Sequence, residues 1–99
     1  MWAQQTYLSV QPEKINEMRK IFNELLVPTL KGHKGNVDLF LLEPRDKHDD
    51  FVTVTMWQNK SDAEDYERSG KYAEFSKKIK PVLAKPIVEK EYEVLKQFH

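Results

Sequence analysis

The sequence predicts an α+β domain in which helices stack on one face of an antiparallel sheet, and three observations carry this. Apolar residues switch between a period of two and spacings of three and four along the chain. The segments follow the order strand, helix, strand, strand, helix, strand. Ninety-nine residues leave room for one core, so a single domain over 1–99 is expected.

The first strand is read over residues 2 to 10, Trp-Ala-Gln-Gln-Thr-Tyr-Leu-Ser-Val, which are rich in aromatic and β-branched types and stop before Pro12. Ile15, Met18, Phe22, Leu25 and Leu26 then recur on one helical face, with Lys14, Glu17, Arg19 and Glu24 on the other. This pattern runs to about Leu30. Pro28 removes one donor and predicts a kink in the last turn, and Gly32 and Gly35 end the helix.

Residues 36 to 43 and 51 to 58 are apolar runs on either side of the polar stretch 44 to 50, as in a hairpin. In the second run Phe51, Thr53, Thr55 and Trp57 alternate with Val52, Val54 and Met56, and neither set is clearly polar. Ser61-Asp62-Ala63-Glu64 has the capping-box spacing and predicts a helix start at Ser61. Gly70 interrupts that helix. Beyond it, Tyr72, Phe75, Ile79 and Val82 or Leu83 share one stripe, with Pro81 fraying its end. Residues 87 to 95 read as the last strand, and Lys96 to His99 as a loose tail.

This order is the ferredoxin-like split β-α-β pattern, four antiparallel strands with both helices on one face. A strand apolar on both sides then exposes its second set to water unless another sheet covers it. A chain this short also buries only roughly two-thirds of the surface its unfolded form exposes. A homodimer is therefore expected.

Sixteen basic and sixteen acidic residues balance to zero, so no global field favours nucleic acid or acidic membranes. The absence of cysteine removes disulfides, thiolate nucleophiles and Cys-ligated metals together. No signal-peptide pattern opens the chain, and no apolar run approaches the roughly eighteen residues of a membrane helix. A cytoplasmic protein is expected.

Several stretches resemble one family. Val54-Thr55-Met56-Trp57-Gln58, followed by Ser61-Asp62-Ala63-Glu64-Asp65-Tyr66, is similar to the strand-to-helix segment of antibiotic-biosynthesis-monooxygenase domains. Lys71-Tyr72-Ala73-Glu74-Phe75 resembles that family's short second helix, and Pro86 with the strand to Leu95 its final strand. Upstream, Val10-Gln11-Pro12-Glu13-Lys14, Gly35-Asn36 and Leu42-Glu43-Pro44 extend the likeness over nearly the whole chain. The resemblance implies a dimeric α+β barrel with a cavity between sheet and helices. It does not fix the activity, because the family includes cofactor-independent oxygenases acting on quinols and polyketide phenols, haem-degrading enzymes and members without known activity.

Oxygenation without a cofactor needs a substrate made electron-rich by deprotonation, a group to hold that state and a dry cavity. Within the resemblance, Trp57, Tyr66 and Tyr72 are the catalytic candidates; Gln5, Tyr7 and Phe40 are the substrate-binding candidates, with Gln5 or Tyr7 facing the aromatic trio. Trp57 is equally suited to a purely structural place in the core. Tyr66 stands where several branches place a histidine, so no imidazole base is expected; a phenol can instead donate to a developing oxyanion. Tyr66, Ser76 and Gln5 occupy the places of the haem-degrading branch's tryptophan, histidine and asparagine, which argues against haem. No cofactor or metal is expected. His33, His48 and His99 are scattered and read as solvated loop or terminal residues, and Asp46, Asp49 and Asp50 as turn formers.

An RNA-recognition module shares this strand order, but residues 50 to 57 lack its basic, glycine and stacking-aromatic platform. The expected function is a small monooxygenase-like protein for an aromatic, quinol or polyketide-type molecule. The alternative is a non-catalytic small-molecule-binding or stress-related dimer.

Overall fold

The structure, a computed structural model, describes residues 1–97; His99 and the end of the expected tail lie outside them. Strands β1 (Trp2–Leu8), β2 (Asn36–Leu42), β3 (Phe51–Trp57) and β4 (Val88–Glu93) form one sheet in the order β2-β3-β1-β4. Every neighbouring pair is antiparallel. This is the ferredoxin-like order expected, with β1 and β3 central and both helical layers on one face.

β1 ends at Leu8 rather than Val10, because the chain changes partner there. Val10 bridges Leu83, and the Ala84 N–H donates to the Ser9 carbonyl at 2.7 Å. The first helical rod runs through a 3-10 turn at Pro12–Lys14, α1 (Ile15–Ile21), a wide π-type turn at Phe22–Leu26 and α2 (Val27–Lys31). Pro28 has no N–H to give, and in a regular helix its ring presses on the carbonyl four residues back. The chain answers one turn earlier than expected: the Val27 N–H reaches the Phe22 carbonyl, five residues back, and the helix continues through Pro28. Met18, Phe22, Leu26 and Leu30 are buried along this rod.

The second layer consists of α3 (Lys60–Glu67) and α4 (Gly70–Ile79), followed by a 3-10 turn at Lys80–Val82. The capping box expected at Ser61 and Glu64 does not form. Asn59 is the N-cap, and its side-chain amide donates to the Asp62 carboxylate at 3.3 Å. Gly70 is the first residue of α4, whose Ser69 cap accepts the Tyr72 N–H. Phe75, Ile79 and Val82 are buried, as the stripe predicted. Among the described residues no helix is long and apolar enough to cross a membrane.

The sheet separates two unlike faces. Leu8, Phe51, Thr53, Thr55 and Trp57 are buried under the helices. The other face carries half-buried Val52, Val54 and Met56 between strands that leave Phe40, Leu42, Val88 and Tyr92 exposed at 46, 50, 53 and 48%. In the connection from 43 to 50, the Asp46 side chain accepts the His48 N–H at 2.8 Å, the local turn role expected of it. Arg19 pairs with Glu43 and ties the base of that connection to α1.

Gly35 fastens the turn before β2. Its φ is +83°, its carbonyl accepts the Gln58 N–H at 2.8 Å, and a Cβ there would overlap the Asp62 carboxylate. Gly35→Ala is therefore expected to cost about 2 to 4 kcal/mol of stability, read as a lower urea midpoint at unchanged slope.

Candidate active site

Beneath the second helical layer, aromatic rings from three parts of the chain meet. Trp57 ends β3, and its indole lies 5.6 Å from the Tyr66 ring on α3. Tyr72, on the first turn of α4, meets Tyr66 edge-on at 5.3 Å. The structure thus brings together the three catalytic candidates; Trp57 is fully buried, Tyr66 is 5% exposed and Tyr72 is half-buried.

Gln5, Tyr7 and Phe40 do not join them. Side chains alternate along a strand, and both Gln5 and Phe40 are register partners of Val54, on the face away from the helices. The Tyr7 hydroxyl donates to Gln5 Oε1 at 2.8 Å on that same open face. The expectation that Gln5 or Tyr7 faces the aromatic trio is therefore corrected: Gln4, one residue earlier, does so.

Gln4 is 4% exposed and hydrogen-bonded at both ends of its amide. Its Oε1 accepts the Trp57 indole N–H at 3.1 Å, and its Nε2 donates to Glu67 on α3 and to Glu91 on β4, the latter at 3.3 Å. An indole N–H can only donate, so the orientation of the amide follows from chemistry.

The expected absence of an imidazole is also corrected. His33 is half-buried, with its ring edge-on to Trp57 at 5.5 Å and to Tyr66 at 5.6 Å. Because Asn36 pairs with Trp57, the turn just before Asn36 must land against that indole. His33 Nδ1 lies 3.1 Å from the Lys34 carbonyl, which only accepts, so a neutral ring carries its proton on Nδ1 and leaves Nε2 as acceptor.

The open side of the aromatic group meets carboxylates. Gln4 and Thr6 are register partners of Glu91 and Glu89, so both glutamates share the helix side of the sheet, at its exposed β4 edge. Partial burial, then Glu67 and Glu91, raise the Glu89 carboxyl above its ordinary range. Burial raises Glu67 too, with help from Glu91 and Glu64 and against the Gln4 hydrogen bond. Burial, then Tyr72, Glu89 and Glu67, push the Tyr66 phenol up, while burial and Glu89 lead the upward shift at Tyr72. Both phenols therefore stay protonated and can donate.

A sheet face that holds buried aromatics and a polar amide under its helices, with carboxylates along its exposed β4 edge, belongs to an α+β protein. The family described as antibiotic biosynthesis monooxygenase matches residues 1–78, and the chain belongs to it. SnoaB from Streptomyces nogalater, a cofactor-independent oxygenase, has a similar fold: TM-score 0.84 at 12% identity, covering 97% of this chain and 94% of that one. Rv0793 from Mycobacterium tuberculosis aligns at TM-score 0.85 and 14% identity over 97% of this chain and 96% of its own. A conserved protein from Methanosarcina mazei Go1 aligns at 0.81 and 18% over 93 and 91%. At such identities the likeness is one of fold. No curated protein matches the chain.

Carboxyls raised on folding hold protons more tightly in the folded state, a contribution present in acid and lost as pH climbs through the raised value. Glu89→Gln is expected to raise the melting temperature at about pH 8, with the gain fading toward about pH 4, where the wild-type carboxyl is already neutral. Equal gains at both pH values would mean that the charge at Glu89 carries no cost.

Proposed function

We propose that this chain is a small cofactor-independent monooxygenase-type enzyme whose substrate is an aromatic, quinol or polyketide-type molecule held beside Trp57, Tyr66 and Tyr72. One observation carries the reading. Tyr66 is 5% exposed, yet its hydroxyl has no hydrogen-bond partner among the described residues and is not sealed off. A nearly buried, protonated donor of this kind suits an oxyanion that forms during reaction.

In the proposed chemistry a substrate hydroxyl loses its proton to a neighbouring carboxylate, Glu89 or Glu67, or to His33 Nε2. The resulting electron-rich ring reduces dioxygen. A phenol and one dioxygen give a quinone and one water, so the substrate supplies every electron. Trp57 and Tyr72 wall the ring, and Gln4 holds Trp57 and the carboxylates in register.

The pure protein is expected to consume oxygen with at least one member of a quinol panel, measured at an oxygen electrode. Tyr66→Phe should lower that rate by about a hundredfold while leaving the unfolding free energy from urea titration within about 1 kcal/mol of wild type. Binding without uptake across the panel would instead identify the non-catalytic binding dimer.

We further propose that two copies pack their open sheet faces together. The support is the exposed apolar set Phe40, Leu42, Val88 and Tyr92 around Val54, with the Gln5 and Tyr7 side chains already satisfying each other. A cytoplasmic setting belongs to the same reading, supported by a chain without cysteine. Light scattering at micromolar concentration should report twice 11.8 kDa for the wild type and 11.8 kDa for Val54→Glu. A wild type at the single-chain mass would end the pairing.

A further inference from the structure

Between the end of α4 and the start of β4 the chain bulges away from the sheet. Val10 bridges Leu83, and the Ala84 N–H donates to the Ser9 carbonyl, so the segment begins beside the end of β1. At Val88, the register partner of Tyr7, it lies beside β1 again. From Val10 back to Tyr7 is three steps, whereas Leu83 to Val88 is five, so two surplus residues must bulge outward. They fall within Lys85-Pro86-Ile87, where Pro86 has no N–H to offer a ladder. Pairing with β1 holds the bulge at both ends.

The bulge borders a hollow of about 380 Å³ with the end of α4 on its other side. Leu83, Ala84, Pro86 and Ile87 make its walls, and Leu83 and Ile87 pack in turn on the buried core. The volume lies within the roughly 300 to 1,000 Å³ of small-molecule sites, and is more than twice the ~150 Å³ that accommodates benzene.

The charges on this hollow have one sign. Lys80, in the turn after α4, and Lys85, in the bulge, both line it, and no acidic residue does. Neither lysine joins an ion pair among the described residues, where the pairs are Lys14–Glu17, Arg19–Glu43 and Arg68–Asp65. The next acid along the strand is Glu89, and the charges acting on it are Glu67 and Glu91 rather than these lysines. Exposed lysines alone define no site, because positive charge often does no more than solvate a surface. Here both border one apolar concavity, shaped by a bulge that is held at each end.

Apolar walls favour a hydrocarbon body, and two unpaired cations favour a carboxylate over an alcohol and an alcohol over an amine. We propose that the hollow binds a small apolar monocarboxylate, its hydrocarbon body against Leu83, Ala84, Pro86 and Ile87 and its carboxylate beside Lys80 and Lys85. It adjoins the aromatic group through Ser76, which lines the hollow and is a hydrogen-bond partner of the Tyr72 phenol. The binding goes beyond the oxygenase reading and does not depend on it.

Three probes with one ring and one chain length separate the charge classes: 3-phenylpropionate, 3-phenylpropan-1-ol and 3-phenylpropylammonium, each titrated into the wild-type protein by calorimetry. The propionate should bind about tenfold tighter than the alcohol, and the ammonium more weakly than either. In the Lys80→Gln, Lys85→Gln double variant, both changes being on exposed side chains, the propionate should fall to the level of the alcohol while the alcohol is unchanged. Ala84→Trp, also at an exposed position, should fill the hollow and weaken the propionate at least about tenfold at an unchanged urea midpoint. Equal binding of the three probes, a preference for the ammonium, or no binding of the propionate would each overturn the proposal. So would a propionate preference that survives the double variant, or full affinity in a folded Ala84→Trp. Oxygen uptake is read separately. Propionate binding without uptake on any quinol sinks the oxygenase reading and keeps the site; uptake without a propionate preference does the reverse.

Discussion

One carboxamide organises the covered face. Gln4 sits on a central strand, buried to 4%, and touches three other elements at once: β3 through the Trp57 indole, α3 through Glu67 and β4 through Glu91. A buried amide is tolerated only when its donors and acceptor are matched, and here each end has a partner of the right kind. The same residue allows two carboxylates to lie close together without a cation, because its N–H groups lie between them. An aliphatic residue of similar size would leave an indole donor and two acids without their shared partner.

The two faces of the sheet follow different rules. On the helix side the middle of β3 carries Thr53 and Thr55, buried at 5 and 8% exposure, between the large rings of Phe51 and Trp57. On the other side the strands carry Val52, Val54 and Met56, with Phe40 and Leu42 beside them, together with the Gln5–Tyr7 hydrogen-bonded pair and Lys90, whose ammonium lies 5.2 Å over the Tyr7 ring.

Most of the fold is legible in the residues. The change from alternation to three-and-four spacing marks the rod from Ile15 to Lys31, and the double alternation of 51 to 57 marks a strand with two apolar faces. Trp57, Tyr66 and Tyr72 fall together because the strand-to-helix connection is short and the two helices follow directly. What the residues do not show is phase. Gln4 and Gln5 are identical in type, and only the register against β3 and β4 decides which one faces the helices. His33 escapes for a similar reason. Its Gly-His-Lys-Gly surroundings read as an exposed turn until the Asn36–Trp57 pairing brings that turn onto an indole. The start of α3 is misplaced because Asn59 takes the N-cap position two residues ahead of Ser61, with its side chain on the Asp62 carboxylate rather than on a backbone N–H.

The widened turn at Phe22–Leu26 has a lasting effect on how this helix can change. It amounts to one extra residue inserted into an otherwise regular coil, placed directly ahead of Pro28, so that the backbone gap the proline creates is absorbed where a turn is already loose. Insertion and proline are thus coupled. Deleting the added residue alone would bring the pyrrolidine ring against a tight coil, and replacing the proline alone would leave a slack turn with no reason to persist. Descendants of this sequence would lose the two features together or keep both.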